Sequence, residues 1–374
     1  MNNRPVVLAA GGTGGHMFPL LAVAEALAAR GQPVHVLTDT RGARFLPDGL
    51  PKDLVSAESP SGPLRARALA MVALAHGTTQ SLRIFRRHRP AALGAFGGYA
   101  CFPPAAAGAL TRVPILLHEQ NAVLGKANRW LAGRAARVAL AFDATRNAGG
   151  IAQDRRLLVG NPVRAAVAAL PAAGYEAPAE GDELRVLVLG GSQGARVLSD
   201  VVPQAIGRLP APLRDRLRLT QQCRPEDLKR VRETYAEMGQ AVELAAFFPD
   251  APQRLADAHL FVGRSGASTI AELLHLGRPS LLIPYRWAAD DHQDENARTI
   301  AAAGAAEVVG EVEADAGRLA DLLAGLLAHP VRLAAMAAAA ARLARPDAAD
   351  RLAAELMRLA TQPVPARPAL REIA

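Results

Sequence analysis

The stretch Arg264-Ser265-Gly266-Ala267-Ser268-Thr269-Ile270-Ala271-Glu272 gathers a guanidinium, three hydroxyls and a carboxylate in nine residues. Ala258–Gly263 before it reads as a short buried strand, and Ile270, Leu273, Leu274 and Leu276 after it keep helical spacing. The Ser-Gly-Ala turn therefore falls where a strand hands over to a helix N-terminus. Free backbone N–H groups and the positive end of the helix dipole suit a phosphate there. Glu272 is expected one helical turn further in, on the open side, where a carboxylate accepts hydrogen bonds from a ribose diol. An ordinary strand–helix turn with a Ser cap and a solvated Glu fits the same residues. The segment alone leaves the two readings level.

Other loops of this kind lie elsewhere in the chain. Pro5–Ala10 is a strand that runs into Gly11-Gly12-Thr13-Gly14-Gly15-His16 and then a helix. Its glycines allow close backbone approach to a ligand, but they match the dinucleotide fingerprint only in a forced register. On this loop alone a nicotinamide enzyme stays open. Leu184–Leu189, Gly190-Gly191-Ser192-Gln193-Gly194-Ala195 and a helical pattern from Val197 to Ile206 repeat the unit. Between the two, Ala91–Ala95 opens into Phe96-Gly97-Gly98-Tyr99, and Val113–His118 ends in Glu119-Gln120-Asn121. Polar clusters after the C-terminal ends of parallel strands mark the ligand edge of an open α/β sheet.

The elements that hold these loops alternate strand and helix and restart after Pro171–Asp182, an Ala/Gly/Pro/Glu-rich stretch read as a linker or a loop just inside a second domain. Ala66–His88 is expected as a long helix interrupted at Gly77, and Asp315 as the N-cap of a later helix. With 374 residues, two α/β domains are the economical inference. Two Cys, Cys101 and Cys223, imply neither a disulfide framework nor a metal site. The +8 charge points to anionic partners, but 4% aromatic residues leave no stacking platform for a nucleic-acid binder. No apolar run reaches membrane-spanning length.

Taken together, the loops resemble the MurG family of glycosyltransferases (family 28). The matching runs are Gly11–His16, Gly97-Gly98-Tyr99, His118-Glu119-Gln120-Asn121, Gly160-Asn161-Pro162-Val163-Arg164, Gly190–Ala195, Arg264–Ala267 with Glu272, and Asp291-His292-Gln293 with Asn296-Ala297, in family order. Gln221-Gln222-Cys223 and an extra residue between Pro284 and Gln293 depart from the family pattern. The resemblance implies the GT-B architecture, two facing Rossmann-like α/β domains with parallel sheets and a cleft between them. Residues 1–163 would form an acceptor- and membrane-side domain, rejoined by a C-terminal helix within 346–374. Residues 164–345 would form the UDP-sugar domain.

The implied reaction is an inverting transfer of N-acetylglucosamine from UDP-N-acetylglucosamine to the C4 hydroxyl of a lipid-linked N-acetylmuramyl-pentapeptide, in peptidoglycan synthesis, with no cofactor or metal. Donor contacts fall to Ala267, Ser268, Thr269, Ile270, Ala271, Glu272, Ser192, Phe248 beside the uracil, Gln293, Asn121 and Arg164, and to Thr13, Gly14 and Gly15 of the first loop. For the base, His16 has an ordinary pKa of about 6.5 that suits proton pickup near neutrality; capping its helix is the competing role, and Glu119 is the rival base. Tyr99 and Asn128 are acceptor-side candidates, with a core aromatic and a solvated Asn as the plain readings. Leu82, Arg83, Phe85, Arg86 and Arg87 would place an apolar and basic helix on the anionic cytoplasmic leaflet of a bacterial inner membrane, where the enzyme is peripheral. Without the resemblance, a helix whose Leu82 and Phe85 face the core is the simpler reading. Other cell-wall synthesis proteins are the remaining implied partners. The alternatives are a natural-product glycosyltransferase or a UDP-sugar 2-epimerase on the same architecture, the latter needing further acid/base carboxylates that the sequence does not supply.

Overall fold

A computed structural model of the chain describes residues 4–60, 62–172, 174–191 and 194–361. It divides into two compact units. The first takes in the chain up to Gln120, Leu124–Val159 and the last helix; the second takes in Asn121–Val123 and Gly160–Pro346.

In the first unit the strands are β1 (Val6–Ala9), β2 (Val34–Thr38), β3 (Lys52–Leu54), β4 (Ala92–Ala95), β5 (Ile115–Glu119), β6 (Arg137–Leu140) and β7 (Arg156–Leu158). The helices between them are α1 (Gly14–Ala28), α2 (Leu64–His88), α3 (Phe102–Thr111) and α4 (Lys126–Ala132). The sheet is parallel, in the order β3-β2-β1-β4-β5-β6-β7. Alternation along β1 sorts its side chains between two cores: Val7 and Ala9 pack with Phe85, Leu93 and Leu117, while Val6 and Leu8 pack with Leu20, Val23 and Leu27 of α1.

The second unit holds β8 (Leu184–Leu189), β9 (Leu217–Gln222), β10 (Val242–Ala245), β11 (Leu260–Gly263), β12 (Ser280–Leu282) and β13 (Ala306–Val308), parallel in the order β10-β9-β8-β11-β12-β13. Its helices are α5 (Ala165–Ala168), α6 (Arg196–Gly207), α7 (Ala211–Arg214), α8 (Leu228–Glu237), α9 (Ala251–Asp257), α10 (Ala267–Leu276), α11 (His292–Ala302), α12 (Ala316–Leu327) and α13 (Pro330–Leu343). Asp315 caps α12 by accepting from the Arg318 N–H at 2.8 Å. The last helix, α14 (Ala348–Thr361), returns to the first unit, where Leu352, Leu356 and Leu359 are buried in the α1 face of the sheet. Each such leucine contributes roughly 1.5–3 kcal/mol of burial.

Both strand orders reverse direction at one point, between β1 and β4 and between β8 and β11. Ligands of open α/β sheets bind beyond the strand ends at such points. The loops singled out in the sequence follow β1, β4, β8 and β11, and so flank both.

One expectation about elements changes. Gly77 does not interrupt α2; a Cβ there would collide with the Ser56 carbonyl oxygen, so the glycine serves close packing inside a continuous helix. Of the two readings of the stretch after Pro171, the loop inside the second unit holds: Tyr175 Oη donates to the His259 carbonyl at 3.1 Å, and Arg278 Nη2 donates to the Gly174 carbonyl at 2.7 Å. Among the described residues no single helix is long and apolar enough to cross a membrane; one pair, Ala316–Leu327 with Pro330–Thr361, passes by length and composition but bends by 90°.

Candidate functional site

The first-unit loops are fitted to one another by glycines. Gly97 has φ +95°, and a Cβ on it would lie 2.9 Å from Cε1 and Nδ1 of His16. Only glycine lets β4's loop lie against that ring. His16, the third residue of α1, is thereby held half-exposed, with its N–H donating to the Thr13 carbonyl at 3.1 Å. Thr13 takes the N-cap backbone position, exposed and without a side-chain cap, and Gly14 and Gly15 form the first turn. Tyr99 opens a short 3-10 turn beside them and is half-buried.

The first loop is anchored by a residue that the sequence reading passed over. Asp39, just after β2, accepts from the Gly12 N–H at 3.1 Å and the Gly42 N–H at 2.8 Å through Oδ1. Its Oδ2 accepts from Arg41 Nε at 3.0 Å and Nη2 at 2.9 Å. Burial pushes the Asp39 carboxyl up, but the Gly42, Arg41 and Gly12 bonds outweigh it and hold it below the usual carboxylate range.

Glu119 and Asn128 form a second anchor. Glu119 is buried, and its Oε2 accepts from the Gly125 N–H at 2.8 Å and from Asn128 Nδ2 at 2.9 Å. Asn128 is buried too and also donates to the His118 carbonyl, at 3.2 Å. It is therefore not the solvated residue of the plain reading. Both side chains fix the turn after β5. Gln120 extends the same cluster, donating to the Phe96 carbonyl at 2.6 Å and contacting His118 Nδ1 at 3.2 Å.

In the second unit, Gly266 is the N-cap of α10 and its carbonyl accepts from the Ile270 N–H at 2.9 Å. The N–H groups of Ala267, Ser268 and Thr269 precede that first intrahelical bond and face outward from a half-exposed turn. Ile270 departs from expectation: its N–H is already used and its side chain is buried. Ala271 follows inside the helix. Ser268 Oγ is buried and has no hydrogen-bond partner among the described residues.

Around this turn the chain is braced from several elements. Ser265 Oγ donates to the Gln293 carbonyl at 2.7 Å, and Gln293 Oε1 accepts from the Tyr285 N–H at 3.1 Å. Asn296 on α11 is fully buried; it donates to the Ser265 carbonyl at 3.1 Å and to Asn121 Oδ1 at 3.1 Å, and accepts from the Ala122 N–H at 2.7 Å. Asn161 Nδ2 donates to the Ala267 carbonyl at 3.2 Å. Arg264, buried, donates to the Ile283 and Pro284 carbonyls and to Glu311. Asn296, Asn161 and Arg264 are positioning residues that the matched runs contained but the sequence reading gave no role.

Glu272 is not on an open side. It is 7% exposed, and Arg164 donates to both its oxygens, from Nε at 2.7 Å and from Nη2 at 2.9 Å. Burial pushes the Glu272 carboxyl up, and the bonds and charge of Arg164 pull it only part of the way back. Phe248 is likewise buried, with the Arg254 guanidinium 4.5 Å above its ring; the exposed aromatic at this point is Phe247. Ser192 lies outside the described residues. Asp290 and Asp291, in the stretch with the extra residue, both adopt left-handed backbone, at φ 54° and 56°.

The membrane helix is rotated relative to its expected phase. Phe85 is buried in the core and Leu82 packs against it, leaving Arg83, Arg86 and Arg87 in solvent. The exposed apolar residues of α2 are in its first half: Leu64 is 87% exposed, Leu69 64%, Met71 54% and Val72 67%.

Comparison with known proteins finds two domain models of one family along the chain. Residues 6–140 match the glycosyltransferase family 28 N-terminal domain, and residues 185–352 match the family's C-terminal domain. A UDP-N-acetylglucosamine–N-acetylmuramyl-(pentapeptide) pyrophosphoryl-undecaprenol N-acetylglucosamine transferase from Rhodospirillum centenum is 48% identical over 356 residues, covering 94% of each chain. A protein of the same name from Methylobacterium sp. is 48% identical over 355 residues, covering 93% of this chain and 95% of its own. Among solved structures, Acinetobacter baumannii MurG superposes with a TM-score of 0.79 at 27% identity, over 95% of this chain and 99% of its own.

Proposed function

This chain belongs to glycosyltransferase family 28, and within it to the MurG transferases, and from that premise we propose which of its residues carry the reaction. It is an N-acetylglucosamine transferase that uses UDP-N-acetylglucosamine and N-acetylmuramyl-(pentapeptide) pyrophosphoryl-undecaprenol in lipid II synthesis. The fold is GT-B.

The N-terminus of α10 receives the donor diphosphate. The observation that carries this is Ser268: a buried hydroxyl with no partner among the described residues, beside three N–H groups at the positive end of a helix. An unmet buried donor costs about 1–3 kcal/mol, and a phosphate oxygen there relieves it. As the acceptor C4 oxygen bonds to the anomeric carbon, the bond to the diphosphate breaks and UDP leaves with the electron pair. The helix terminus stabilises that charge. The proton leaving the C4 hydroxyl passes to His16, the half-exposed imidazole on the first Gly loop, while Glu119, committed to Gly125 and Asn128, positions the turn after β5. Thr13, Gly14 and Gly15 face the donor sugar and the acceptor diphosphate, and Tyr99 lies on the acceptor side. Glu272 meets the ribose, with Arg164 holding it, and Asn121 and Gln293 address the sugar.

The chain docks peripherally on the cytoplasmic leaflet of the bacterial inner membrane, through the outer face of α2. Leu64, Ala68, Val72 and Ala75 recur there at helical spacing and are exposed, and Arg65, Arg83, Arg86 and Arg87 flank them. Incubating purified protein with radiolabelled UDP-N-acetylglucosamine and the lipid-linked muramyl acceptor tests the activity. Label should move into the lipid fraction, and an excess of unlabelled UDP-glucose or UDP-N-acetylgalactosamine should compete poorly. Label remaining in the nucleotide fraction would refute the assignment.

A further inference from the structure

Three side chains outside the site just described meet at the other end of the first sheet. His35 is the second residue of β2, Asp53 lies on β3, and His88 is the last residue of α2. His35 Nε2 is 2.8 Å from Asp53 Oδ2. The two imidazole rings stack with centroids 4.4 Å apart and planes tilted by 30°. One ligand atom from each residue lies within 4.8 Å of the other two, the one such group of three among the described residues.

We infer that His35, Asp53 and His88 form a binding site for a divalent transition-metal ion of the zinc class. Two imidazoles and one carboxylate suit zinc, cobalt or nickel and are poor for magnesium or calcium, which take oxygen ligands. Bonds of about 2.0–2.2 Å set ligand atoms roughly 3.3 Å apart around a tetrahedral ion. The distances found here, 2.8 Å and up to 4.8 Å, bracket that spacing. His35 is buried while Asp53 and His88 are half-exposed, so two of the three side chains are open to adjust around an ion from solution.

The ion would clamp the C-terminal end of α2 to the β2–β3 edge of the sheet. The site is separate from the Gly loop, since His35 starts the strand whose far end leads to Asp39. An ion held there would fix the helix whose outer face carries the exposed leucines.

Isothermal titration of tag-free full-length protein with zinc chloride tests the inference, together with cobalt(II) absorption spectra. One ion should bind per chain, cobalt should give intense tetrahedral bands, and His88→Gln and Asp53→Asn should each weaken binding at least tenfold. Zinc should also raise the wild-type Tm by a few degrees, reversed by EDTA, a readout that does not depend on any variant folding. Absence of stoichiometric binding to wild type, or equal binding by His88→Gln, would overturn it.

Discussion

Arg164 and Glu272, 108 residues apart, are joined by two hydrogen bonds, and the carboxylate of the pair is buried. The pair brings the end of the family's Gly-Asn-Pro-Val-Arg run onto the helix that starts at the proposed phosphate site. Arg164→Ala leaves a buried carboxylate without its cation, a loss of about 3–5 kcal/mol where the carboxylate stays ionised. The folded pKa of Glu272 is already raised and rises further without Arg164. Protonation relieves the strain below that value, so the stability deficit should grow as pH rises through it. Thermal unfolding at pH 5 and pH 8 checks this, and a deficit as large at pH 5 would contradict it. The donor KM should rise in the same variant, and in Glu272→Ala with kcat little changed.

Asp39 has the opposite sign. Its folded pKa is depressed, so its contribution is complete above the unfolded value of about 3.9 and is lost as pH falls through the folded one. Asp39→Asn keeps an acceptor for the Gly12 and Gly42 N–H groups but turns an amide toward Arg41. It should cost about 1–2 kcal/mol near neutrality and flatten the acid limb of the stability profile. A variant whose Tm falls in parallel with wild type below pH 4 would remove Asp39 as the anchor of the loop.

His16→Ala should lower kcat by roughly 10²–10⁴, the usual contribution of a general base, with both KM values within about threefold. Steady-state rates with each substrate varied in turn make the separation. If Glu119→Gln loses as much kcat while remaining fully folded, the carboxylate and not the imidazole takes the proton.

Membrane binding should respond to the first half of α2 as well as its basic end. Leu64→Glu with Val72→Glu should abolish sedimentation with anionic vesicles, and reversing Arg83, Arg86 and Arg87 should weaken it by about 1 kcal/mol per residue. Phe85→Ala should instead lower stability by about 3–5 kcal/mol, as a core truncation does. Unaltered sedimentation of the Leu64/Val72 variant would move the docking face elsewhere.

Much of this architecture is legible in the chain because local signals decide it. The Gly loops after apolar runs locate the ligand edges of both sheets, and Asp315 announces its cap. What escapes is whatever depends on partners distant in sequence. Nothing near Glu272 reveals that Arg164 will cover it, and nothing near Asp39 shows that it will hold Gly12. Phe85 illustrates a second limit: its helix offers both a basic and an apolar side, and only packing against the sheet settles which way the ring turns. Three-residue edge strands such as β3 and β13 carry too few residues for a period to show.

The central claim is that a helix N-terminus takes the charge of the departing diphosphate. A crystal structure of the protein with UDP tests it most directly. The account predicts phosphate oxygens at hydrogen-bonding distance, about 2.7–3.2 Å, from the amides of Ala267, Ser268 and Thr269, with Ser268 Oγ donating to one of them. Diphosphate density on any other loop would contradict it.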